Sequence, residues 1–465
     1  MNHGVVTALV ALGAFAALIT LVRWRLTRVS RRLLRFLGAK AKDQVVILTG
    51  THMPHLHEAD ALRALRDGLP ALGLAVESVG LNSMVANTTP PILSLGAMLG
   101  NSFPRGFGVA QTVQHATGPG KSEELPSGMM RLCSAGARRL AIVLMKTEGL
   151  FVSSIYFEIA VTADAESRAW AKQVLADLET WMSANSIFRK QSVAPSLSAM
   201  GAIKLDFVDV SLSPEMVFEE RLREELDLNF LAFVRHRDAL GKMGIPSRRG
   251  LLLCGPPGCG KTSTCRYLRT QLPEHAFFIL SSRVLEKVKE VFELAARVAP
   301  SVVVIEDVDL ALRTPDPALP NPLLKDLLNE MDGIEDRADV MVVLTSNSRL
   351  PLEQALADRP GRIDHTIRYS PPGAPHRKNV LATAVRDMRL LMPLDDLVKL
   401  SDGLTAAQLI ELVKKSAIRA LRRAPAEGAP EVSALDVRAA FEELTAGSDA
   451  ARGVKDSRVR PFPTA

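Results

Sequence analysis

A chain of 465 residues, 47% of them hydrophobic and 23% charged, has room for about three domains and is too apolar to be disordered. Its 57 Lys and Arg exceed 51 Asp and Glu by six, yet eight cations and no acid fall between Arg23 and Lys42, leaving the remainder near −2; a nucleic-acid surface spread over the fold is excluded. Four cysteines, three of them inside the twelve residues Cys254–Cys265, cannot make a disulfide framework and suit a reducing compartment.

From Gly4 to Val22 nineteen residues carry no charge, and ten of them are Leu, Ile, Val or Phe. At about 1.5 Å per residue such a helix spans roughly 28 Å, close to the hydrocarbon core of a bilayer. Residues 1–22 are therefore expected to form one transmembrane anchor. Met1-Asn2-His3 put no basic stretch ahead of it, which speaks against a cleaved signal peptide. The cations of 23–44 make a basic juxtamembrane segment. By the positive-inside rule they place the following chain on the cytoplasmic or matrix side of a cytoplasmic or inner membrane.

Residues 45–211 read as an α+β middle domain. Strands are expected at Val45–Thr49, Leu74–Val79, Arg138–Lys146 and Ile155–Val161, helices at Glu58–Leu72 and Asp164–Ser183, and a further strand near Phe188. Leu81–Gly128 is rich in Gly, Pro, Ser, Thr and Asn and reads as loops with short elements. His52, His55 and His57 could supply imidazoles to zinc, although a polar turn held by Pro54 is the simpler account. Beyond a linker near Leu212–Pro214 an amphipathic helical stretch runs to Leu240. From Gly244 to Gly447 apolar runs alternate with helical patterns, the sign of an α/β sheet. The polar residues 448–465 are expected to be a disordered tail.

Leu251–Cys254 reads as a buried strand. It runs into Gly255-Pro256-Pro257-Gly258-Cys259-Gly260-Lys261-Thr262, which satisfies G-x-x-x-x-G-K-[ST] between a strand and a helix. Glycines let backbone N–H groups turn toward phosphate oxygens, and the next helix, with Ser263 in its first turn, adds the positive end of its dipole. Lys261 is expected at the β- and γ-phosphates of ATP and the Thr262 hydroxyl on Mg²⁺. Gly118–Ser122 looks superficially similar, but His115 stands where the first glycine is needed, so it reads as a loop.

Ser301–Ile305 is an uninterrupted apolar run ending in Glu306-Asp307-Val308-Asp309. A triphosphate hydrolase needs one acid at this strand end for Mg²⁺ and another to orient or deprotonate water. Two adjacent acids there are costly without a cation. Asp309 is open between a helix N-cap and a direct role. A third strand, Asp339–Thr345, leads to Asn347, whose amide could bond the γ-phosphate and the lytic water.

Together these residues resemble the AAA family of ATPases. The matching stretches are Gly250–Thr262, the strand ending at Asp309, Leu323–Gly333, Asn347 and Arg359–Asp364, within about Phe218–Gly447, roughly half the chain. The resemblance implies a P-loop α/β ATPase subdomain over 212–375, a small helical subdomain over 376–447, ATP and Mg²⁺ as cofactors, and a homo-oligomeric ring, hexamer or heptamer. It implies that Arg359 and Arg362 reach a neighbour's γ-phosphate as arginine fingers. It also implies that Gly403–Leu409 leads into a helix beside the adenine, with Gly244 and Ile245 as the other wall. By position Glu306 would hold Mg²⁺ through water and Asp307 would act on the nucleophile.

Three departures from the family pattern matter. The acids read Glu-Asp where the family has Asp then Glu, an order similar to the membrane-anchored AAA proteins that assemble respiratory complex III. Phe277–Glu286 runs straight into Lys287–Val298 with no room for an aromatic–aliphatic–Gly pore loop. No H-E-x-x-H occurs, so a membrane-anchored AAA protease is not expected. The expected function is a membrane-anchored ATPase whose ring remodels or translocates a protein client, without proteolysis and without nucleic acid. The competing expectation is a membrane-tethered ATP-binding switch or scaffold with negligible turnover.

Overall fold

In a computed structural model of the chain the described residues are 30–83, 95–100, 105–107, 111–148, 153–198, 203–210, 219–243, 250–311, 322–333, 339–347, 363–423 and 431–452. They divide into two compact units, one made of the chain up to Asp209 with Glu274–Ser301, the other of Val210–Pro273 and the chain from Val302. The span 212–375, expected as one ATPase subdomain, is thus shared between them. Among the described residues no helix is long and apolar enough to cross a membrane. The expected anchor, 1–22, lies outside the described residues, as does the expected linker near Leu212–Pro214.

The first unit is built on an antiparallel sheet. Its strands are β1 (Val45–Thr49), β2 (Met53–Pro54), β3 (Ala75–Ser83), β4 (Arg105–Phe107), a separate hairpin of β5 (Gln111–Gly118) and β6 (Lys121–Ser127), β7 (Met129–Ala135), β8 (Arg138–Glu148) and β9 (Ser153–Thr162). The order is β1-β9-β8-β7-β3-β4, with β2 paired to β9. Side chains of a strand alternate between faces, and β8 and β9 are apolar on both. Leu140, Ile142, Ile155, Phe157, Ile159 and Val161 enter one core, beneath a helical run Glu58–Ala71 and the helix Ala165–Ala184. Ala141, Val143, Met145 and Ala160 enter the other, together with Leu95 and Met98 of the short helix Leu95–Gly100.

Helix 30–37 also belongs to that second core. Leu33 and Leu37 are buried in it, and the Ser30 hydroxyl donates to the Met98 carbonyl at 2.6 Å. Arg31, Arg32 and Arg35 remain exposed. Asp164 caps the helix Ala165–Ala184 by accepting from the Ser167 N–H, as a helix N-cap should. Two strands, β10 (Ser192–Leu197) and β11 (Ile203–Phe207), form an antiparallel pair, and β10 runs parallel to the later strand Ala276–Leu280.

The sequence-based expectations fail here in two places. Phe188 is not in a strand. It is buried in the turn before β10 and stacks on Phe207 at 5.7 Å between ring centroids. Leu81–Gly128 holds a two-stranded hairpin with a register shift between Ala116 and Gly118, closed by Gly118–Lys121, because Gly120 takes the left-handed backbone the turn requires. The lookalike phosphate motif is this hairpin turn.

The histidines do not converge. His52 lies 4.4 Å from the Tyr156 ring with its Nδ1 near Ser154, and His55 Nε2 accompanies the Ile203 carbonyl at 3.0 Å. His57 is buried, and desolvation, with Arg297 and His55, lowers its pKa to about 3. Among the described residues no cluster of three metal-ligating side chains forms.

The second unit holds strands Gly250–Cys254, Val340–Ser346 and His365–Arg368 and residues 302–305 of the strand Ser301–Ile305. Gly250–Cys254 lies between the other two long-range partners and runs parallel to both Val340–Ser346 and His365–Arg368. The Gly250–Cys254 and Val340–Ser346 strands are buried throughout, the continuous apolar pattern of strands covered on both faces. Helices Ala374–Ala384, Leu394–Leu400, Ala406–Arg423 and Ala434–Arg452 form a separate apolar core, so the expected helical subdomain begins at 374. The last helix continues past 447 into the expected tail.

Candidate functional site

The phosphate-type loop occupies residues 255–260, between the buried strand and the helix Lys261–Gln271. Its first glycine is required sterically: a Cβ on Gly255 would lie 2.5 Å from the Tyr369 carbonyl oxygen. At the far end Gly260 occupies the helix N-cap at φ 102, with no side-chain cap. The free amides and dipole of that helix end suit an anion. Thr262 is exposed in the first turn.

Lys261 is 6% exposed, and burial pulls its pKa below the usual lysine value against the opposing pull of Cys259 and Asp307. Its Nζ donates to the carbonyls of Gly255 at 2.7 Å and Pro256 at 3.0 Å and to Asn347 Oδ1 at 2.8 Å. Asn347 passes the connection on, its Nδ2 donating to Asp307 Oδ1 at 2.8 Å. Sequence positions 261, 307 and 347 are thus one hydrogen-bonded chain.

Asp307 follows the strand Ser301–Ile305 in the left-handed region, at φ 48. Aspartate tolerates that conformation better than most residues, at a local cost of order 1 kcal/mol. Its backbone N–H donates to Thr345 Oγ1 at 2.9 Å. Asp309, buried, accepts the Asn347 N–H through Oδ1 at 2.9 Å. This bond fixes the backbone of the amide residue. Glu306 is half-buried beside Asp307. A hydroxyl at Thr262 and carboxylates at 306 and 307 are hard oxygen donors, a set that fits Mg²⁺.

The loop borders a cavity of about 580 Å³, a volume suited to a small molecule. Cys259, Gly260 and Ser263 form one wall, Tyr369 and His376 another, and Ile410 part of the helical side. His376 is kept below its usual pKa by burial, against the pull of Glu219. The Ala407 N–H donates to the Gly258 carbonyl at 3.0 Å, so the helix beginning at Ala406 meets the loop itself. Gly403–Leu409, expected to lead into a helix beside the adenine, leads into this helix, and its observed contact is with the loop.

Gly244, Ile245, Arg359 and Arg362 lie outside the described residues. Sequence reasoning missed Thr345, Tyr369 and His376. Thr345, a hydroxyl inside an otherwise apolar strand, was the one with a visible signal.

Residues 251–371 match the family model described as "ATPase family associated with various cellular activities (AAA)". Over 203 residues the chain is 33% identical to "Protein SAV" of Sulfolobus acidocaldarius, covering 41% of this chain and 26% of that protein. It is 32% identical to a cell division cycle protein 48 homolog of Archaeoglobus fulgidus, covering 41% and 28%. The ATP-dependent zinc metalloprotease FtsH of Paraburkholderia phymatum is 28% identical over 309 residues, 60% of this chain and 46% of that one. The chain therefore spans a quarter to about half of the length of these curated relatives. The loop, the acidic strand end and the amide strand end all fall inside the stretch 251–371 that is similar to this family model.

Proposed function

We propose that this protein is a membrane-anchored ATP hydrolase that assembles in a ring and uses turnover to remodel or move a protein client. The observation that carries the catalytic part is the Lys261–Asn347–Asp307 chain. Entering ATP takes Lys261 Nζ from its two loop carbonyls and Asn347 and gives it phosphate oxygens. With Oδ1 released, the Asn347 side chain can turn its Nδ2 from Asp307 to donate to a γ-phosphate oxygen. Asp307, held by Thr345 and released by Asn347, then orients the attacking water and accepts its proton. Thr262 and Glu306 would hold Mg²⁺, which when bound neutralises charge on the β- and γ-oxygens. Arg359 and Arg362 of a neighbouring copy are assigned to the transition-state charge.

The anchor and the membrane site, at the cytoplasmic or matrix face, rest on the uncharged run Gly4–Val22 and the cations after it. The ring reading rests on the family match. Remodelling without threading is supported by the strand Ala276–Leu280, which passes into the turn Ser282–Lys287 and the helix Val288–Arg297 with no inserted loop. The absence of H-E-x-x-H supports a function other than proteolysis. The lack of a pore loop favours a client handled folded, in the manner of the complex III assembly proteins that share the Glu-Asp order.

The test is ATP binding and phosphate release by purified full-length variants. Lys261→Ala is expected to lose ATP binding. Asp307→Asn is expected to keep binding and lose at least about a hundredfold in turnover. Undiminished phosphate release by Asp307→Asn contradicts the assigned roles. The competing reading, a membrane-tethered switch or scaffold with negligible turnover, rests on the reversed Glu306-Asp307 order and the lack of a pore loop. A rate that stays near zero as subunit concentration rises selects that reading.

A further inference from the structure

Tyr369 stands one residue beyond the strand His365–Arg368 and is 5% exposed, yet the chemistry above makes no use of its side chain. It touches the phosphate loop in three places. Its N–H donates to the Cys254 carbonyl at 2.8 Å, where the strand enters the loop. Its carbonyl oxygen and Cβ crowd Gly255, where an added Cβ would meet them at 2.5 and 2.7 Å. Its hydroxyl lies 2.6 Å from Thr264 Oγ1, in the first turn of the helix that leaves the loop.

The proton arrangement follows from the partners. The Thr264 hydroxyl has one proton and faces the Gly260 carbonyl at 3.2 Å. Giving its proton there, it can only accept from Tyr369. Burial pushes the Tyr369 pKa well above the usual phenol value, so the donor proton is retained. Beyond Tyr369 the chain runs through Gly373 into the helix Ala374–Ala384. Tyr369, Ser370 and Pro372 line the same cavity as Cys259 and Gly260.

We propose that Tyr369 is a positioning residue of the nucleotide site: through the hydroxyl pair with Thr264 it holds the two ends of the phosphate loop at the spacing that the triphosphate needs. A cradle of backbone amides binds phosphate well only when its ends are fixed beforehand. The pair sits at the start of the segment leading to the C-terminal helices, so it also ties loop geometry to that segment. The inference rests on residues 255–262 being the ATP site.

Steady-state kinetics with MgATP and thermal unfolding without nucleotide, on full-length protein, test it. Tyr369→Phe keeps the ring and removes one hydroxyl. It is expected to raise KM for ATP about tenfold, the scale of one buried hydrogen bond, with kcat changed less than about twofold and nucleotide-free Tm little moved. Thr264→Val is expected to do the same, while Thr264→Ser keeps the hydroxyl and restores KM. The double variant Thr264→Val with Tyr369→Phe should be no worse than either alone, since the two side chains act as one unit. An unchanged KM in Tyr369→Phe overturns the proposal. So does a KM change that tracks loss of nucleotide-free Tm and adds in the double variant. Wild-type protein that fails to bind MgATP overturns the site reading beneath it, a separate result.

Discussion

The two units bury polar groups for different ends. In the sheet unit each buried carboxylate closes on a nearby element. Glu158 accepts the Leu95 N–H at 2.7 Å and so finishes a helix end, while Asp60 accepts from Ser186 at 2.5 Å and from the Ile187 N–H at 2.8 Å. Around the loop of the second unit the polar groups sit at strand ends and bond to one another: Lys261 to Asn347, Asn347 to Asp307 and Asp309, Asp307 to Thr345. The first arrangement sets shape and is complete. The second holds its donors and acceptors on partners that a phosphate can replace. Buried charge thus points to chemistry when its partners are other charged or amide groups converging from separate strands.

The sharpest way to break this contrast is in the sheet. Phe157 is fully buried in the core under the two helices, and Phe157→Ala should cost about 3–5 kcal/mol in urea unfolding. ATP affinity of the protein that remains folded should be unchanged, and a parallel loss would erase the distinction. A smaller effect is expected in the site. Asp309→Ala removes the acceptor of the Asn347 N–H, worth about 2 kcal/mol for a bond to a carboxylate. Turnover should fall at least tenfold with ATP binding kept, and Asp309→Asn, which retains an acceptor, should recover most of it.

The smallest effects concern acidity in the sheet unit, where two buried groups pull in opposite directions. The pKa of His57 is lowered to about 3, so its contribution to stability is full above about 6.5 and drains away as pH falls. That of Asp60 is raised by burial to about 6, so its contribution is full below about 3.8 and is lost as pH rises through 6. Between pH 7 and 5 the histidine costs about 2 kcal/mol and the aspartate returns about 1 kcal/mol. Denaturant midpoints should therefore drop only modestly on acidification. His57→Leu should reverse the trend, and Asp60→Asn should steepen it. Identical pH profiles for both variants would show that neither group titrates as described.

Most of the loop was legible because its chemistry is local: Gly255–Thr262 is contiguous, and each acidic or amide residue directly follows an apolar run. The ends β1, β8 and β9 were legible for the same reason, since both their faces are apolar. What escaped depends on chain separated in sequence. Asp309 acquires its role from Asn347, 38 positions on, and Tyr369 from Thr264, 105 positions back. Strand β7 carries a buried Arg131 that bonds Ser78 of β3, and such a charge hides a strand from any reading of apolar periodicity. The histidines looked like a cluster because spacing along a turn says nothing of where imidazoles point.

The insertion of Leu33 and Leu37 into a sheet core has a mechanical consequence. Only residues 23–29 separate the end of the uncharged run from Ser30, at most about 25 Å of fully drawn chain. If the uncharged run is anchored as proposed, a pull on it reaches helix 30–37 through seven residues of chain. The load passes through two leucines into the central strands, so the sheet would feel traction at its base before any hinge could swivel it away.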